Sequence, residues 1–303
     1  MKPEISIIIP TIEEEGVFKL IAKIRKEFRN PEIIVVDKSG PAYRRRLAKA
    51  GVVLVVQENS GVENAVFEGL KKAHSDILAS IDGDGTHDPH SLVEGYKIIK
   101  GGKADMVMGN RLKHLHPGSM SFHQRFGNRF LSRLYRHMYK VEIHDFLVGM
   151  FVVSRDAFDS VKDIAPYRAG HAFFAMELAK KGYKIVEVPV EYYPRSEGES
   201  KLSRSKVLYG VGVASHMIRL ARDYNPLLIF GSIGVILIII GIAIGLMVFL
   251  TYLATGVMNE IGRALIAFML VVVGFLSIIS GLLIDLLLGI DRKLSDMPPS
   301  SHK

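Results

Sequence analysis

The sequence predicts an α/β domain built on a mostly parallel, Rossmann-like sheet and followed by two transmembrane helices. Three observations carry that expectation. Between residues 5 and 190, short apolar runs alternate with stretches of helical period, the pattern of successive βαβ units. From Leu227 to Met258, and again from Ala264 to Ile284, there is no charged residue, and each run exceeds the roughly 20 apolar residues a helix needs to cross a bilayer. Neither a G-x-G-x-x-G fingerprint nor a Walker A loop occurs, so the sheet is not expected to hold a dinucleotide or a P-loop nucleotide.

Taken in order, Ile5 to Ile9 reads as a buried strand stopped at Pro10-Thr11. Glu13, Glu14 and Glu15 are expected in the first turn of a helix, where negative charge suits the dipole, with Val17, Leu20, Ile21 and Ile24 on its apolar face. Ile33 to Val36 is a second strand ending at Asp37, Arg44 to Ala50 a helix, Val52 to Val56 a third strand and Val62 to Ala73 another helix. Ile77 to Ile81 forms strand four, Ser91 to Ile99 a helix and Asp105 to Met108 strand five. Phe122 to Tyr139 is a basic helix whose Arg125, Arg129, Arg133 and Arg136 fall on one face. Gly149 to Val153 is a strand, Gly170 to Lys181 a helix carrying Glu177, and Lys184 to Val190 the last strand. The expected organisation is a domain over 1–206, a juxtamembrane amphipathic helix over 207–226, a two-helix hairpin over 227–289 and a tail over 290–303.

Charge orients the hairpin. Lys201, Arg204, Lys206, Arg219 and Arg222 precede it, Arg292 and Lys293 follow it, and the turn from Thr255 to Arg263 is nearly neutral. The positive-inside rule places both termini and the large domain on the cytosolic side of the cell membrane. The Ile5–Ile9 run is too short for a signal-peptide core. Gly241 and Gly245 form a G-x-x-x-G that suits helix packing or a homo-oligomer. The 303 residues carry a net charge of +8 and no cysteine, which excludes a disulfide scaffold, Cys-ligated zinc and a cysteine nucleophile.

The chemistry concentrates at Asp82-Gly83-Asp84-Gly85-Thr86, where two carboxylates spaced i and i+2 leave the carboxyl end of strand four. Ligands bind at that end of an open α/β sheet. Asp82, Asp84 and the Thr86 hydroxyl are hard oxygen ligands for Mg²⁺ or Mn²⁺, and such ions usually share their shell with substrate phosphates. A calcium loop is excluded by register: with Asp82 as position 1, the required Gly falls on His87 and the required Glu on Val93. Asp-Gly pairs are also ordinary turn formers, so the motif needs its surroundings.

Those surroundings resemble the GT-A fold glycosyltransferases of family 2, specifically the membrane enzymes that charge a polyprenyl phosphate. Pro10, Thr11 and Glu13 are similar to the family's nucleotide loop, and Asp37 to its base-contacting aspartate. Asn59, Gly61, Asn64, Ala65 and Gly69 resemble the segment before the D-x-D, Gly109-Asn110-Arg111 the G-[SN]-R motif, and Arg195 with Gly198, Ser200 and Lys201 the R-x-x-G-x-S-K loop. The order of these pieces, with a second Gly127-Asn128-Arg129, looks most like archaeal enzymes that load dolichyl phosphate from UDP-glucose or UDP-N-acetylglucosamine; the GDP-mannose-dependent mannose synthases are close relatives. Departures are Lys38 after Asp37, Thr86 where the mannose synthases have glutamine, and Asp145-Phe146-Leu147-Val148-Gly149-Met150-Phe151, which lacks the Ser and Arg of the family's D-x-x-S-G-F-R.

The resemblance implies a metal-dependent, inverting transfer from a nucleotide diphosphate sugar to dolichyl phosphate at the lipid bilayer. Asp82 would also contact the nucleotide, and Pro10, Thr11, Glu13, Asp37 and Asn59 would hold it. Asp84 would place the cation, while Arg111, Arg125, Arg129, Arg195 and Lys201 would grip the acceptor phosphate. A phosphate monoester is already mostly dianionic at neutral pH, so no general base is expected. A processive polysaccharide synthase is disfavoured, since the chain has no tryptophan for a Q-x-x-R-W motif and too few spans for a pore. A non-catalytic, membrane-tethered nucleotide-sugar sensor is the alternative that the Lys38 and Val148 departures leave open, and the intact D-x-D argues against it, since a retired enzyme has no need of one. Nucleic-acid binding is not expected, because phosphate substrates and the membrane flank account for the basic residues.

Overall fold

A computed structural model describes residues 2–59, 61–139, 141–163, 174–175, 177–179, 181–194, 226–257 and 260–295. The chain divides into two compact units, residues 1–200 and 201–303.

The first unit is a seven-stranded sheet of order β3-β2-β1-β4-β6-β5-β7, with β1 Ile5–Thr11, β2 Pro31–Asp37, β3 Val53–Val56, β4 Ile77–Ser80, β5 Met106–Leu115, β6 Phe151–Ser154 and β7 Ile185–Tyr192. Ile5, Ile7, Ile8 and Ile9 of β1 are fully buried, as a strand covered on both faces requires. Helices α1 Gly16–Glu27, α2 Pro41–Lys49, α3 Val62–Lys72 and α4 His90–Lys100 connect the first five strands. Val17, Leu20, Ile21 and Ile24 form the buried face of α1, as their spacing predicts. Two further helices are α5 Phe122–Tyr139 and α6 Arg155–Val161.

Four details differ from the sequence reading. Strand β6 runs antiparallel to both neighbours, β4 and β5, so the sheet is mixed although mostly parallel. Glu13, Glu14 and Glu15 precede α1 rather than forming its first turn: Glu13 has φ 49, a left-handed value that interrupts a helix, and its N–H is taken by Ser39 Oγ at 2.7 Å. Strand β5 continues past Met108 to Leu115, pairing with β7 across an irregularity between Asn110 and His114, so Gly109-Asn110-Arg111 lies in the sheet. The short α6 was not expected; Ser154 caps it by accepting from Ala157 N–H at 3.3 Å. Residues 174–175 and 177–179 are helical, within the stretch expected to be so. Arg195, Lys201 and the juxtamembrane helix over 207–226 lie outside the described residues, apart from Pro226.

The second unit holds α7 Pro226–Thr255 and α8 Ile261–Ser295, both long and apolar enough to cross a membrane. Gly241 packs α7 against α8: a Cβ there would fall 2.8 Å from Ala267 O. Gly245 lies outside that close approach, with Ala267 Cβ at 3.8 Å from the same ideal position. Within one chain, the first glycine of the G-x-x-x-G therefore serves the hairpin itself.

Candidate active site

The carboxyl ends of β1, β2 and β4 lie side by side. Thr11 pairs with Asp37 across β1 and β2, and Ile8 with Ser80 across β1 and β4. This gathers Pro10, Thr11, Asp37 and the turn after β4. Gly83 passes so near β1 that a Cβ would lie 2.9 Å from Pro10 O, which explains a glycine between the two aspartates. Asp37 is fully buried and held from several sides: Ser39 N–H donates to Oδ2 at 3.0 Å, and Arg44 Nε pairs with the same oxygen at 3.2 Å. Tyr43 OH donates to Glu14 O at 2.5 Å, and burial pushes its phenol up to about 12, so it stays a donor. Asn59 is tied locally, its N–H and Nδ2 donating to Glu68 Oε1 at 2.9 and 3.2 Å.

The D-x-D turn is shaped by its own residues and by a distant loop. Gly85 has φ 73, the left-handed conformation that turns the chain after Asp84. Thr86 N–H and Oγ1 donate to Asp84 Oδ1 at 3.1 and 2.7 Å. The Thr86 hydroxyl thus orients the Asp84 carboxylate. Asp82 is seated against Gly149: a Cβ at Gly149 would fall 2.1 Å from Asp82 Oδ2 and 2.4 Å from Cγ. Only glycine leaves room for that carboxylate.

Beside this turn stands an ion-pair network. Arg111 Nε and Nη2 form a fork onto Asp145 at 2.8 Å each, and Arg111 N–H adds a third bond to Asp145 Oδ2 at 3.0 Å. Both side chains are buried. Burial opposes the Arg111 charge, but Asp145 more than offsets it, and the guanidinium is held above its ordinary value. Glu187 of β7 supports the loop from behind, accepting from Asp145 N–H at 2.9 Å and from Asn110 Nδ2 at 3.0 Å. Arg111 also lies 5.3 Å from the centroid of the Tyr192 ring.

Sequence reasoning gave no role to His87, Tyr192 or Glu187. His87 is buried beneath the turn, its ring 5.1 Å from that of Tyr192 and its Nδ1 3.8 Å from Asp82 Oδ2. Burial, reinforced by the Arg111 charge, pushes its imidazole down to about 4. Proximity to the D-x-D was the available signal for His87; the other two lie far along the chain. Of the arginines expected on the acceptor, Arg111 is in the network, Arg125 donates from Nε and Nη2 to Met120 O at 3.3 Å, and Arg129 is exposed on α5. Phe122, Phe126 and Phe130 are also exposed there, at 77%, 65% and 58%.

The donor chemistry fits a hard divalent cation shared with a substrate: Asp82 and Asp84 offer carboxylate oxygens, and the Asp82 side chain is 30% exposed. Among the described residues, no group of three or more His, Asp or Glu forms a cage for an ion. Residues 6–162, more than half of the chain, match the family described as Glycosyl transferase family 2. The chain belongs to that family. It is 29% identical over 300 residues to the glycosyltransferase AglJ of Haloferax volcanii, covering 95% of each chain. It is 26% identical over 245 residues to the dolichol-phosphate mannosyltransferase of Pyrococcus furiosus, covering 76% of this family 2 member and 68% of that relative. The mannosyl-3-phosphoglycerate synthase of Rubrobacter xylanophilus shares the fold, with a TM-score of 0.55 at 18% identity over 72% of this chain and 74% of that one. The protein is therefore a glycosyltransferase, with a GT-A-like mixed sheet.

Proposed function

We propose that this glycosyltransferase moves a sugar from a nucleotide diphosphate sugar to dolichyl phosphate, with inversion, at the cytosolic face of a membrane. The observation that carries the reading is the D-x-D turn, held between the β1 and β2 ends on one side and the Arg111–Asp145 pair on the other. The two apolar helices support a lipid acceptor, as does the similarity to a dolichol-phosphate mannosyltransferase. Helix α5 supports it too, because its exposed phenylalanines alternate with arginines and it contains no acidic residue.

Asp82 and Asp84 would hold Mg²⁺ or Mn²⁺ together with the diphosphate; when bound, the ion neutralises charge developing on the leaving group. Thr86 fixes the Asp84 carboxylate. Asp37, with Thr11 and the Glu13 loop, forms the nucleoside end. Arg111, forked onto Asp145 in a buried pair with no net charge, braces the rim beside the turn where the acceptor phosphate approaches. Arg125, Arg129, Arg195 and Lys201 are further candidates for that phosphate. No carboxylate need take a proton, because the acceptor arrives as an anion.

UDP-linked glucose or N-acetylglucosamine is the favoured donor. GDP-mannose is the second reading, favoured by the Pyrococcus relative's name. The test is purified full-length protein in vesicles with dolichyl phosphate, Mn²⁺ and each radiolabelled donor in turn, counting label in extracted lipid. Label from one donor is expected, and Asp84→Ala should reduce it at least about 100-fold, the scale of losing a principal transition-state contact. No label from any donor, or full activity of Asp84→Ala, would refute the reading.

A further inference from the structure

His87 has a side chain with no solvent exposure, and its Nε2 has no hydrogen-bond partner. Its Nδ1 lies 3.2 Å from Thr86 Oγ1. Hydrogen counting assigns the tautomer. As a ligand of the proposed cation, the Asp84 carboxylate carries no hydrogen, so the Thr86 hydroxyl donates its only one to Asp84 Oδ1. Thr86 Oγ1 must then accept from His87, which puts the ring hydrogen on Nδ1 and a bare lone pair on Nε2. A buried acceptor without a partner is better tolerated than a buried orphan N–H. The neighbouring chain holds this arrangement in place. Tyr193 N–H donates to Thr86 O at 2.8 Å, and the Tyr192 ring packs edge-on against His87.

We propose that His87 is a positioning residue for the cation site: its Nδ1–H holds the Thr86 hydroxyl, and that hydroxyl holds Asp84 in the orientation a divalent cation needs. The proposal rests on the metal-bound diphosphate reading above. It makes His87 a partner of the ligand's partner, the kind of outer contact that tunes metal affinity without touching the ion.

The test is Mn²⁺ binding by full-length protein in lipid nanodiscs with UDP or GDP and no acceptor, followed by electron paramagnetic resonance of the free ion. The amide nitrogen of asparagine overlays Nδ1 of histidine, and that of glutamine overlays Nε2. His87→Gln is expected to weaken Mn²⁺ binding about 10-fold or more, while His87→Asn stays within about threefold of wild type. In a Thr86→Val background, His87→Gln should add less than about twofold, because the link is already cut. Equal losses in the two His87 variants, or additive losses with Thr86→Val, overturn the proposal and leave the metal reading standing. Absence of Mn²⁺ binding by the wild type with either nucleotide overturns both. Long-range ¹H–¹⁵N spectra of the wild type provide a measure independent of any variant's folding. They should show His87 as the Nδ1–H tautomer, and an Nε2–H tautomer refutes the relay.

Discussion

Gly149 and Asp145 are the residues where the smallest changes should have the largest effects. A methyl group at Gly149 would occupy the space of the Asp82 carboxylate. Gly149→Ala should therefore lower turnover about 100-fold, the scale of an ångström-sized misplacement in an active site. Steady-state kinetics alongside a thermal melt will separate this from unfolding, since the Asp82 side chain can swing aside at a stability cost of about 1–3 kcal/mol. Asp145→Asn leaves Arg111 charged, buried and without its carboxylate, which should destabilise the domain by about 3–5 kcal/mol, read by chemical denaturation. The two aspartates of the D-x-D were legible in the sequence because their function sits in adjacent residues. Asp145 was visible only as part of a family segment lacking its usual Ser and Arg. Its tie to Arg111 depends on which strands are neighbours, and no local pattern states that.

At the scale of elements, helices and strands were legible wherever burial imposes a period, as in α1 or the apolar run of β1. The direction of β6 was not. Phe151-Val152-Val153 is buried in either orientation, so its apolar run carries no sign of direction. The phenylalanines of α5 recur at i, i+4 and i+8, but only the structure shows that they face outward, with Phe126 and Phe130 stacked at 6.5 Å. An amphipathic surface of this kind suits the headgroup region of an anionic bilayer. The chain has no tryptophan, so Phe126→Trp creates a single tryptophan that can be excited selectively over the tyrosines. In nanodiscs containing brominated phospholipid its emission should be quenched, whereas a tryptophan replacing exposed Val56 on edge strand β3 should not be. Equal quenching at the two positions would remove α5 from the membrane surface.

For the whole molecule, division into two units makes a further prediction. Residues 1–200 contain the complete sheet and should unfold cooperatively when expressed alone, as followed by circular dichroism. Under the proposed function, removing the hairpin should lower transfer to vesicle-borne polyprenyl phosphate about 100-fold, because tethering would supply effective concentration. Transfer to a short, water-soluble acceptor should be retained. The reversed strand has a consequence for how such enzymes can diversify. Because β6 enters the sheet beside the end of β4, at Phe151 against Ser80, the chain reaches that rim through the segment from Val141 to Gly149 before β6 begins. Insertions or deletions upstream of Asp145 therefore change the loop at that rim while leaving the pairings of β6 untouched. Under the proposed function, that places variation in acceptor choice in a loop and leaves the scaffold constant.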